Sequence, residues 1–150
     1  MCGIVAYVGK KDPKQFLIEG LRRLEYRGYD SAGILLANAS ENQTSKIAGK
    51  VNALSKILDE KPEISAHIGI GHTRWATHGV PNDLNAHPHP SYSGKLYLVH
   101  NGIIENYDAI KQELIQRGYT FYSDTDSEVL VNLIEEIKDQ EKVSLAKAVQ

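Results

Sequence analysis

The sequence predicts a domain of the α+β class, in which buried strands and amphipathic helices share one core. Residues 4–8 are β-branched, small or aromatic and lie between two glycines, as in a short buried strand. Segments 34–37 and 45–48 flank a polar turn, which predicts a β-hairpin. After Pro13, apolar residues recur at helical spacing, which predicts a helix with one face in the core.

The composition limits the classes of protein to which the chain can belong. It has 150 residues, 41% of them hydrophobic, which is enough for one domain that buries roughly 70% of its unfolded surface. The net charge of -2 provides no basic field for nucleic acid or an anionic membrane. A single cysteine cannot form an internal disulfide, and neither a secretory signal nor a membrane-spanning apolar run is present. We therefore expect a cytoplasmic protein with no nucleic-acid or membrane partner.

The first half of the chain contains clear helix and strand signals. Asp12 and Pro13 predict the start of a helix that ends near Gly28, and residues 52–60 predict a second, shorter helix. Residues 68–71 alternate isoleucine with glycine, as in a strand with one bare face. We expect another element to pack very close to that glycine face.

The second half is predicted to continue with a strand at 96–99, which leads into residues 100–102. A helix follows from about Asn106 and is closed by Gly118. Residues 119–122 are predicted to form an edge strand.

The last part of the chain predicts two further helices. A polar turn at 123–128 caps the first, and Ser144 caps the second. The second helix has only seven residues and no terminator, and a helix so short is unstable alone. We therefore expect the sequence to be the front part of a longer domain.

The only cysteine is the second residue, directly ahead of the first predicted strand. Removal of Met1 would leave Cys2 with both a thiol and a free α-amine, so that nucleophile and base share one residue. An α-amine has a reference pKa of about 7.7 to 8.0 and a thiol of about 8.5, so the amine can accept the thiol proton near neutral pH. The alternative is that Cys2 is merely a small hydrophobic residue.

Three polar sites, each with a different chemistry, follow predicted strands or precede a helix. Arg74 can hold a carboxylate with its two-pronged guanidinium, and Asp126 can hold an ammonium, so the pair can grip the two ends of a free amino acid. Asn101 and Gly102 can supply a side-chain and a main-chain N–H to an oxyanion. The simpler alternatives are a surface ion pair for Arg74, a helix cap for Asp126 and a hairpin turn for Asn101-Gly102.

The six histidines raise the alternative of a metal site, especially His87 and His89. A strong zinc signature would add clustered cysteines or a His-Glu-x-x-His helix, and the sequence has neither. We expect no metal and no organic cofactor. Trp75 is equally open to two interpretations, because a lone tryptophan is either a packing residue or the cover of a pocket.

Several long motifs occur together and in order along nearly the whole chain, and with them the sequence resembles the glutamine:fructose-6-phosphate amidotransferase family. They are Cys2-Gly3-Ile4-Val5, Arg23-Leu24-Glu25-Tyr26-Arg27-Gly28-Tyr29-Asp30-Ser31-Ala32-Gly33, Gly71-His72-Thr73-Arg74-Trp75-Ala76-Thr77-His78-Gly79, Asn85-Ala86-His87-Pro88-His89 and His100-Asn101-Gly102-Ile103-Ile104-Glu105-Asn106.

This resemblance implies a fold and a domain plan. The expected fold is a four-layer α-β-β-α sandwich of two mainly antiparallel sheets, of the N-terminal-nucleophile hydrolase type. Residues 1–150 would form a glutamine amidotransferase type 2 domain, incomplete at its C-terminal end, with the sugar-phosphate isomerase domains absent. Fructose-6-phosphate would be reached only through those missing domains, and the full-length form could be a homodimer.

The resemblance also implies catalytic roles. Cys2 would attack the side-chain amide of L-glutamine to give a γ-glutamyl thioester, ammonia and then glutamate. Asn101 and the Gly102 N–H would hold the oxyanion. Arg27 would support Cys2 from a neighbouring loop.

The remaining implied residues bind the substrate. Arg74 would take its carboxylate and Asp126 its ammonium, while Thr77 and His78 line the site and Trp75 closes it. The alternatives are an inactive fragment without enzymatic function, a related amidotransferase and a histidine-based metal hydrolase.

Overall fold

The computed structural model describes residues 1–77 and 79–150, which form two compact units. The first unit comprises Met1–Pro88 and Val99–Asn101, and the second comprises His89–Leu98 and Gly102–Gln150. The elements are β1 (Gly3–Val8), α1 (Lys14–Leu24), a 3-10 turn (Glu25–Arg27), β2 (Ser31–Ala37), β3 (Asn42–Ala48), α2 (Val51–Glu60), β4 (Ile68–Arg74), β5 (His89–Pro90), β6 (Tyr97–Leu98), α3 (Tyr107–Gln116), α4 (Asp126–Gln140) and α5 (Leu145–Val149).

The first unit is built on a four-stranded antiparallel sheet with the order β1-β4-β2-β3. The predicted hairpin is confirmed as β2 and β3, and β4 lies between β1 and β2. Gly3 pairs with Thr73 on β4, so the strand register brings the Cys2 end of β1 to the Arg74 end of β4. The sheet therefore sets the first residues of the chain beside a motif more than seventy positions later.

Helix α1 packs on the glycine face of β4, as the alternating pattern predicts. A Cβ at Gly69 would stand 2.5 Å from Leu17 Cδ1, and one at Gly71 would stand 3.1 Å from Leu21 Cδ1. Only bare backbone allows a helix to approach the sheet so closely. The apolar face of α1 thereby closes one side of the first unit.

The core of the first unit joins α1, α2 and the inner face of the sheet. Burying these aliphatic side chains stabilises the unit by roughly 1.5 to 3 kcal/mol for each large residue. The buried cluster consists of Leu17, Ile18, Leu21, Ala32, Ile34, Leu36, Val51, Leu54, Leu58 and Ala66.

The second unit combines the short β5-β6 ribbon with α3, α4 and α5. The buried carboxylate of Glu135 on α4 holds the turn of the ribbon, because it accepts hydrogen bonds from the Ser91 hydroxyl at 2.6 Å and from Ser93 N at 3.2 Å. Ser144 caps α5 as predicted, with its hydroxyl accepting from Lys147 N.

One element prediction in the second unit is wrong. Residues 119–122 form no strand, because the main chain of Tyr119 is used to end α3. Tyr119 N donates to Leu114 O at 3.0 Å, and Gly118 adopts a φ of +95°. This is the C-terminal cap of a helix, with glycine in the left-handed region as expected for that position. The predicted strand at 96–99 is shorter than expected and spans Tyr97–Leu98.

Within the part of the chain that the structure describes, no helix has the length and apolar character needed to cross a membrane.

Candidate active site

Cys2 lies one residue before β1, and its thiol contacts the main chain of Trp75. Trp75 N donates to Cys2 Sγ at 3.1 Å, and Sγ lies 3.6 Å from Trp75 O. Cys2 is partly exposed, so the sulfur is neither a core group nor a fully solvated one. The sulfur is thus held beside the main chain that directly follows β4.

Arg74 is the last residue of β4 and is only 3% exposed, so the alternative of a surface ion pair is excluded. Its Nη2 donates to Gly79 O at 3.3 Å. The main chain at Arg74 also lies against Gly28, where a Cβ would stand 2.8 Å from Arg74 C. The loop after the 3-10 turn therefore packs directly on the strand end that carries the arginine.

Asp30 holds the segment that follows Arg74. Its Oδ2 accepts from Ala76 N at 2.8 Å, and its own N–H donates to Arg74 O at 3.1 Å. Because these two bonds bracket Trp75, Asp30 fixes the main-chain N–H that contacts Cys2 Sγ. The sequence analysis assigned no role to Asp30, which it named only as part of the motif from Arg23 to Gly33.

Trp75 is not a core packing residue. Its side chain is 48% exposed and meets Tyr29 edge to face, with the ring centroids 6.0 Å apart. Thr77 is exposed on the same segment, and His78 lies outside the described residues. The indole is therefore available to cover a ligand, while the roles proposed for Thr77 and His78 stay predictions.

Asn101 bridges a buried histidine and the first residues of the chain. His72 Nε2 donates to Asn101 Oδ1 at 2.8 Å, and Asn101 Nδ2 donates to Cys2 O at 3.2 Å. No described strand follows Asn101 to complete a hairpin, since the next element is α3. The turn alternative is therefore wrong, and an amide NH₂ donor lies against Cys2.

His72 is the buried partner in this arrangement. It is 1% exposed, its ring stacks on that of His87 with centroids 4.1 Å apart, and burial lowers its pKa from 6.5 to about 4. The hydrogen bond to Asn101 acts in the opposite direction but is the smaller effect. His72 is therefore neutral at physiological pH. Sequence reasoning assigned it no particular role, because its partner is 29 residues away.

Arg27 ends the 3-10 turn and reaches the first residue of the chain. Its Nη2 lies 3.6 Å from Met1 Sδ. The side chain predicted to support the N-terminal residues is thus near them. Whether it supports Cys2 itself stays a prediction.

Two predicted site residues belong to the second unit. Gly102 is exposed. Asp126 is the first residue of α4 and is 4% exposed, with its Oδ2 accepting from Ile104 N at 2.8 Å. The cap of α4 is the hydroxyl of Thr125, which accepts from Glu128 N at 3.3 Å, so the cap alternative for Asp126 is wrong.

The two histidines that suggested a metal site, His87 and His89, contact other side chains. His87 stacks on His72, and His89 Nε2 lies 3.1 Å from the Thr125 hydroxyl. Residues 1–77 and 79–150 contain no group of three His, Cys, Asp or Glu side chains placed to hold a metal ion.

Comparison with protein families identifies the chain. Residues 58–146, more than half of it, match the model of the glutamine amidotransferase domain. The chain belongs to the glutamine amidotransferase domain family.

Relatives of the same family are highly similar over nearly the full chain. A glutamine–fructose-6-phosphate aminotransferase (isomerizing) of Pyrococcus horikoshii is 55% identical over 91% of this chain and 23% of its own length. The enzyme of that name from Bacteroides thetaiotaomicron is 54% identical over 100% of this chain and 24% of its own length. The chain therefore spans about a quarter of the length of the curated relatives it matches, at 23% and 24%.

Solved structures of amidotransferases have the same fold. A glutamine phosphoribosylpyrophosphate amidotransferase from B. subtilis, with ADP and GMP, superposes with a TM-score of 0.80 at 26% identity, over 99% of this chain and 31% of its own. An allosteric regulatory enzyme of purine biosynthesis gives a TM-score of 0.83, also at 26% identity, over 99% of this chain and 32% of its own. The fold of this glutamine amidotransferase domain is thus α+β with antiparallel sheets, of the N-terminal-nucleophile type, as predicted.

Proposed function

We propose that this chain hydrolyses L-glutamine to glutamate and ammonia, with Cys2 as the nucleophile. The observation that carries the proposal is the convergence of two N–H donors on Cys2. Trp75 N donates to its sulfur at 3.1 Å, and Asn101 Nδ2 donates to its carbonyl oxygen at 3.2 Å. Such an arrangement suits a nucleophile whose attack creates an oxyanion within reach of the Asn101 NH₂ group.

The chemistry begins with removal of Met1, which gives Cys2 a free α-amine. The amine accepts the thiol proton, and the sulfur attacks the amide carbon of glutamine, so that a C–S bond forms while the carbonyl oxygen becomes an oxyanion. Asn101 Nδ2 and the Gly102 N–H stabilise this oxyanion. When the C–N bond breaks, the ammonium form of the Cys2 amine returns a proton to the leaving nitrogen, and ammonia departs. Water then hydrolyses the γ-glutamyl thioester to glutamate and restores the thiol.

Substrate binding rests on charge complementarity to a free amino acid. Arg74 binds the α-carboxylate with two parallel hydrogen bonds, and Asp126 binds the α-ammonium. The planar guanidinium of Arg74 supports this assignment, because its paired N–H groups match the two oxygens of a carboxylate. Thr77 and His78 line the site, and Trp75 covers it.

Arg27 is proposed to support the processed N-terminus. Its Nη2 contacts Met1 Sδ, so removal of Met1 leaves the guanidinium facing the newly exposed end of the chain. A guanidinium at that position would lie close to the residue that the proposal makes the nucleophile.

The wider role proposed is that of the glutaminase part of a glutamine–fructose-6-phosphate aminotransferase (isomerizing), as the names of the relatives suggest. Residues 1–150 are the glutamine amidotransferase type 2 domain of such a protein. Ammonia from Cys2 serves the formation of glucosamine-6-phosphate from fructose-6-phosphate, which parts beyond this chain would bind. The reaction at Cys2 needs no metal or organic cofactor, and a lone thiol fits the reducing cytoplasm.

The decisive experiment labels the nucleophile. The natural full-length protein is treated with a glutamine analogue that carries a thiol-alkylating group in place of the side-chain amide, and the adduct is located by peptide mass spectrometry. We expect one adduct, on an N-terminal Cys2 that has lost Met1, together with loss of glutamate release from glutamine.

A Cys2→Ala variant and a chelator serve as controls. Cys2→Ala should take up no label and release no glutamate, with its unfolding transition unchanged, and chelation should leave the wild-type activity intact. Glutamine hydrolysis by Cys2→Ala, or its loss on chelation, would overturn the proposal in favour of a metal hydrolase. A wild-type protein that keeps Met1 and is inert would favour the non-enzymatic alternative.

A further inference from the structure

We infer that His72 is a positioning residue that sets which end of the Asn101 amide faces Cys2. This inference rests on the proposed function, because it concerns the donor that stabilises the oxyanion. It assigns a role in the reaction to a buried histidine that neither contacts the substrate nor exchanges protons with it.

The two ends of an asparagine amide have nearly the same shape but opposite hydrogen-bonding character. The NH₂ group donates, and the oxygen only accepts. If the Asn101 amide were rotated by half a turn, its oxygen would face the developing oxyanion and repel it. The reaction therefore requires something that selects one of the two orientations.

His72 supplies that selection through one hydrogen bond. Asn101 Oδ1 can only accept, so His72 Nε2, which lies 2.8 Å away, must carry the hydrogen and donate it. With Oδ1 held by His72, Nδ2 is turned to Cys2, whose carbonyl oxygen it meets at 3.2 Å. With the proton on Nε2, the reversed amide would set an NH₂ group against an N–H and an amide oxygen against the carbonyl oxygen of Cys2, so both bonds would be lost.

His72 can fix the amide because its main chain is paired in the sheet and its ring is buried and stacked. It lies on the central strand β4, where its main chain pairs with Ile4 on β1 and with Gly33 on β2. Its ring is 1% exposed and stacks on the ring of His87, with 24° between the two planes. The Asn101 amide is therefore held by a residue in the interior of the sheet.

Burial also keeps this hydrogen bond constant over the working pH range. The pKa of His72 is lowered to about 4, chiefly by burial, so the ring is neutral near pH 7 and has a single N–H. The orientation of the Asn101 amide in the structure corresponds to the tautomer with the proton on Nε2.

A pair of polar substitutions of different reach tests the role in the natural full-length protein. The amide of Gln in His72→Gln can take the place of Nε2 and reach Asn101, whereas the shorter side chain of His72→Asn cannot. We expect His72→Asn to lower kcat for glutamine hydrolysis by about 10-fold to 100-fold with little change in KM, which is part of the loss from deleting an oxyanion donor. His72→Gln should keep kcat within about 3-fold of wild type.

A double-mutant cycle shows whether His72 acts through Asn101. In an Asn101→Ala background there is no amide to orient, so adding His72→Asn should lower kcat by no more than about 2-fold. The rate at which iodoacetamide alkylates Cys2 is a second readout, because this reaction forms no oxyanion. It should be the same in wild type and His72→Asn.

The outcomes separate this inference from the proposed function. Equal kcat values for His72→Gln and His72→Asn, a full additional loss in the Asn101→Ala background, or a parallel loss of alkylation would each overturn the positioning role. If wild type does not hydrolyse glutamine, or if Asn101→Ala keeps the wild-type kcat, the proposed function fails instead. If circular dichroism shows that His72→Asn does not fold, His72→Gln and its combination with Asn101→Ala still decide. A large loss of kcat in His72→Gln that adds fully to the loss in Asn101→Ala would contradict an action through the amide.

Discussion

The two units use polar side chains in opposite ways. In the second unit, the buried carboxylate of Glu128 accepts from Tyr122 N, Ser123 N and the Ser123 hydroxyl, so its donors come from one short stretch of chain. In the first unit, Asn101 is exposed and has partners that lie far from it in the sequence. The bonds to Glu128 fix a loop, whereas the bonds to Asn101 leave a polar group at the surface with capacity for a ligand.

The contrast between Glu128 and Asn101 distinguishes polar groups that stabilise the fold from polar groups that can react or bind. A buried carboxylate that is surrounded by local donors stabilises the fold and has little left to offer a substrate. An exposed amide that is held at one end by a buried ring can exchange its other partner at low cost. Substitution of Asn101 should therefore change kinetics, and substitution of a buried carboxylate of α4 that is held by local donors should change stability.

The largest effect is expected from Asn101→Ala in the first unit. Loss of one oxyanion donor should lower kcat for glutamine hydrolysis by roughly 10²-fold to 10³-fold. Because Asn101 is exposed, the urea unfolding midpoint should stay near that of wild type. Asn101→Asp keeps the shape but replaces the donor by an acceptor, so steady-state kinetics should show at least as large a loss. A normal kcat in Asn101→Asp would contradict the contrast between the units.

The next effect is a loss of stability in acid that originates in the first unit. The folded-state pKa of His72 is about 4, against 6.5 for the free side chain, so the unfolded chain binds more protons between these values. The free energy of unfolding should therefore fall by about 3 kcal/mol as the pH drops through this range. The nearby charge of Arg74 also disfavours protonation of His72, whereas hydrogen bonds to Asn101 and to the main chain of His100 favour it.

Urea titrations at several pH values in wild type and His72→Gln would measure this contribution as the difference between the two proteins. Groups common to both proteins cancel in the difference. A difference that does not change between pH 7 and pH 4 would mean that His72 is not a buried neutral ring.

A smaller kinetic effect is expected at Arg74. Arg74→Lys keeps the charge but loses the two-pronged geometry, so KM for glutamine should rise by roughly 10-fold to 100-fold while kcat changes less. A glutamine analogue whose α-carboxylate is converted to an amide provides the matched test. Wild type should prefer glutamine strongly over this analogue, whereas Arg74→Lys should show little preference. An unchanged KM would remove Arg74 from the proposed contact with the carboxylate.

The smallest effect is one on stability in the second unit. Glu135→Ala leaves the Ser91 and Ser93 donors without their buried carboxylate and should lower the free energy of unfolding by about 2 kcal/mol. Glu141→Ala, an exposed change next to the end of the same helix, is the control and should stay within about 0.5 kcal/mol of wild type. Glutamine KM should be unaffected in both, and a large kinetic change in Glu135→Ala would break the distinction between the units.

Local patterns in the sequence were sufficient for much of the fold. The glycine face of Gly69 and Gly71 predicted a close neighbour, and α1 is that neighbour. Ser144 predicted the cap of α5. Tyr119 misled the strand prediction, because its aromatic and β-favouring surroundings carry no sign that its main-chain N–H closes the preceding helix.

The candidate site could be predicted only as a set of residue types. Cys2 and Asn101 were chosen for their chemistry, but the contact of Asn101 with His72 depends on strand pairing across the sheet, which no local pattern encodes. Asp30 was missed for the same reason, since its partner Ala76 is 46 residues away. Residues that orient others are recognised by their contacts, whereas reacting groups are recognised by their chemistry.

The pairing of Gly3 with Thr73 has a practical consequence for anyone who produces this protein. Strand β1 begins directly after Cys2, so the amine that the proposed mechanism uses lies at the very start of the sheet. A purification tag fused ahead of Met1 would convert the amine into an amide and silence the thiol, however well the fusion folds. Tags belong at the other terminus, or behind a protease that cuts immediately before Cys2.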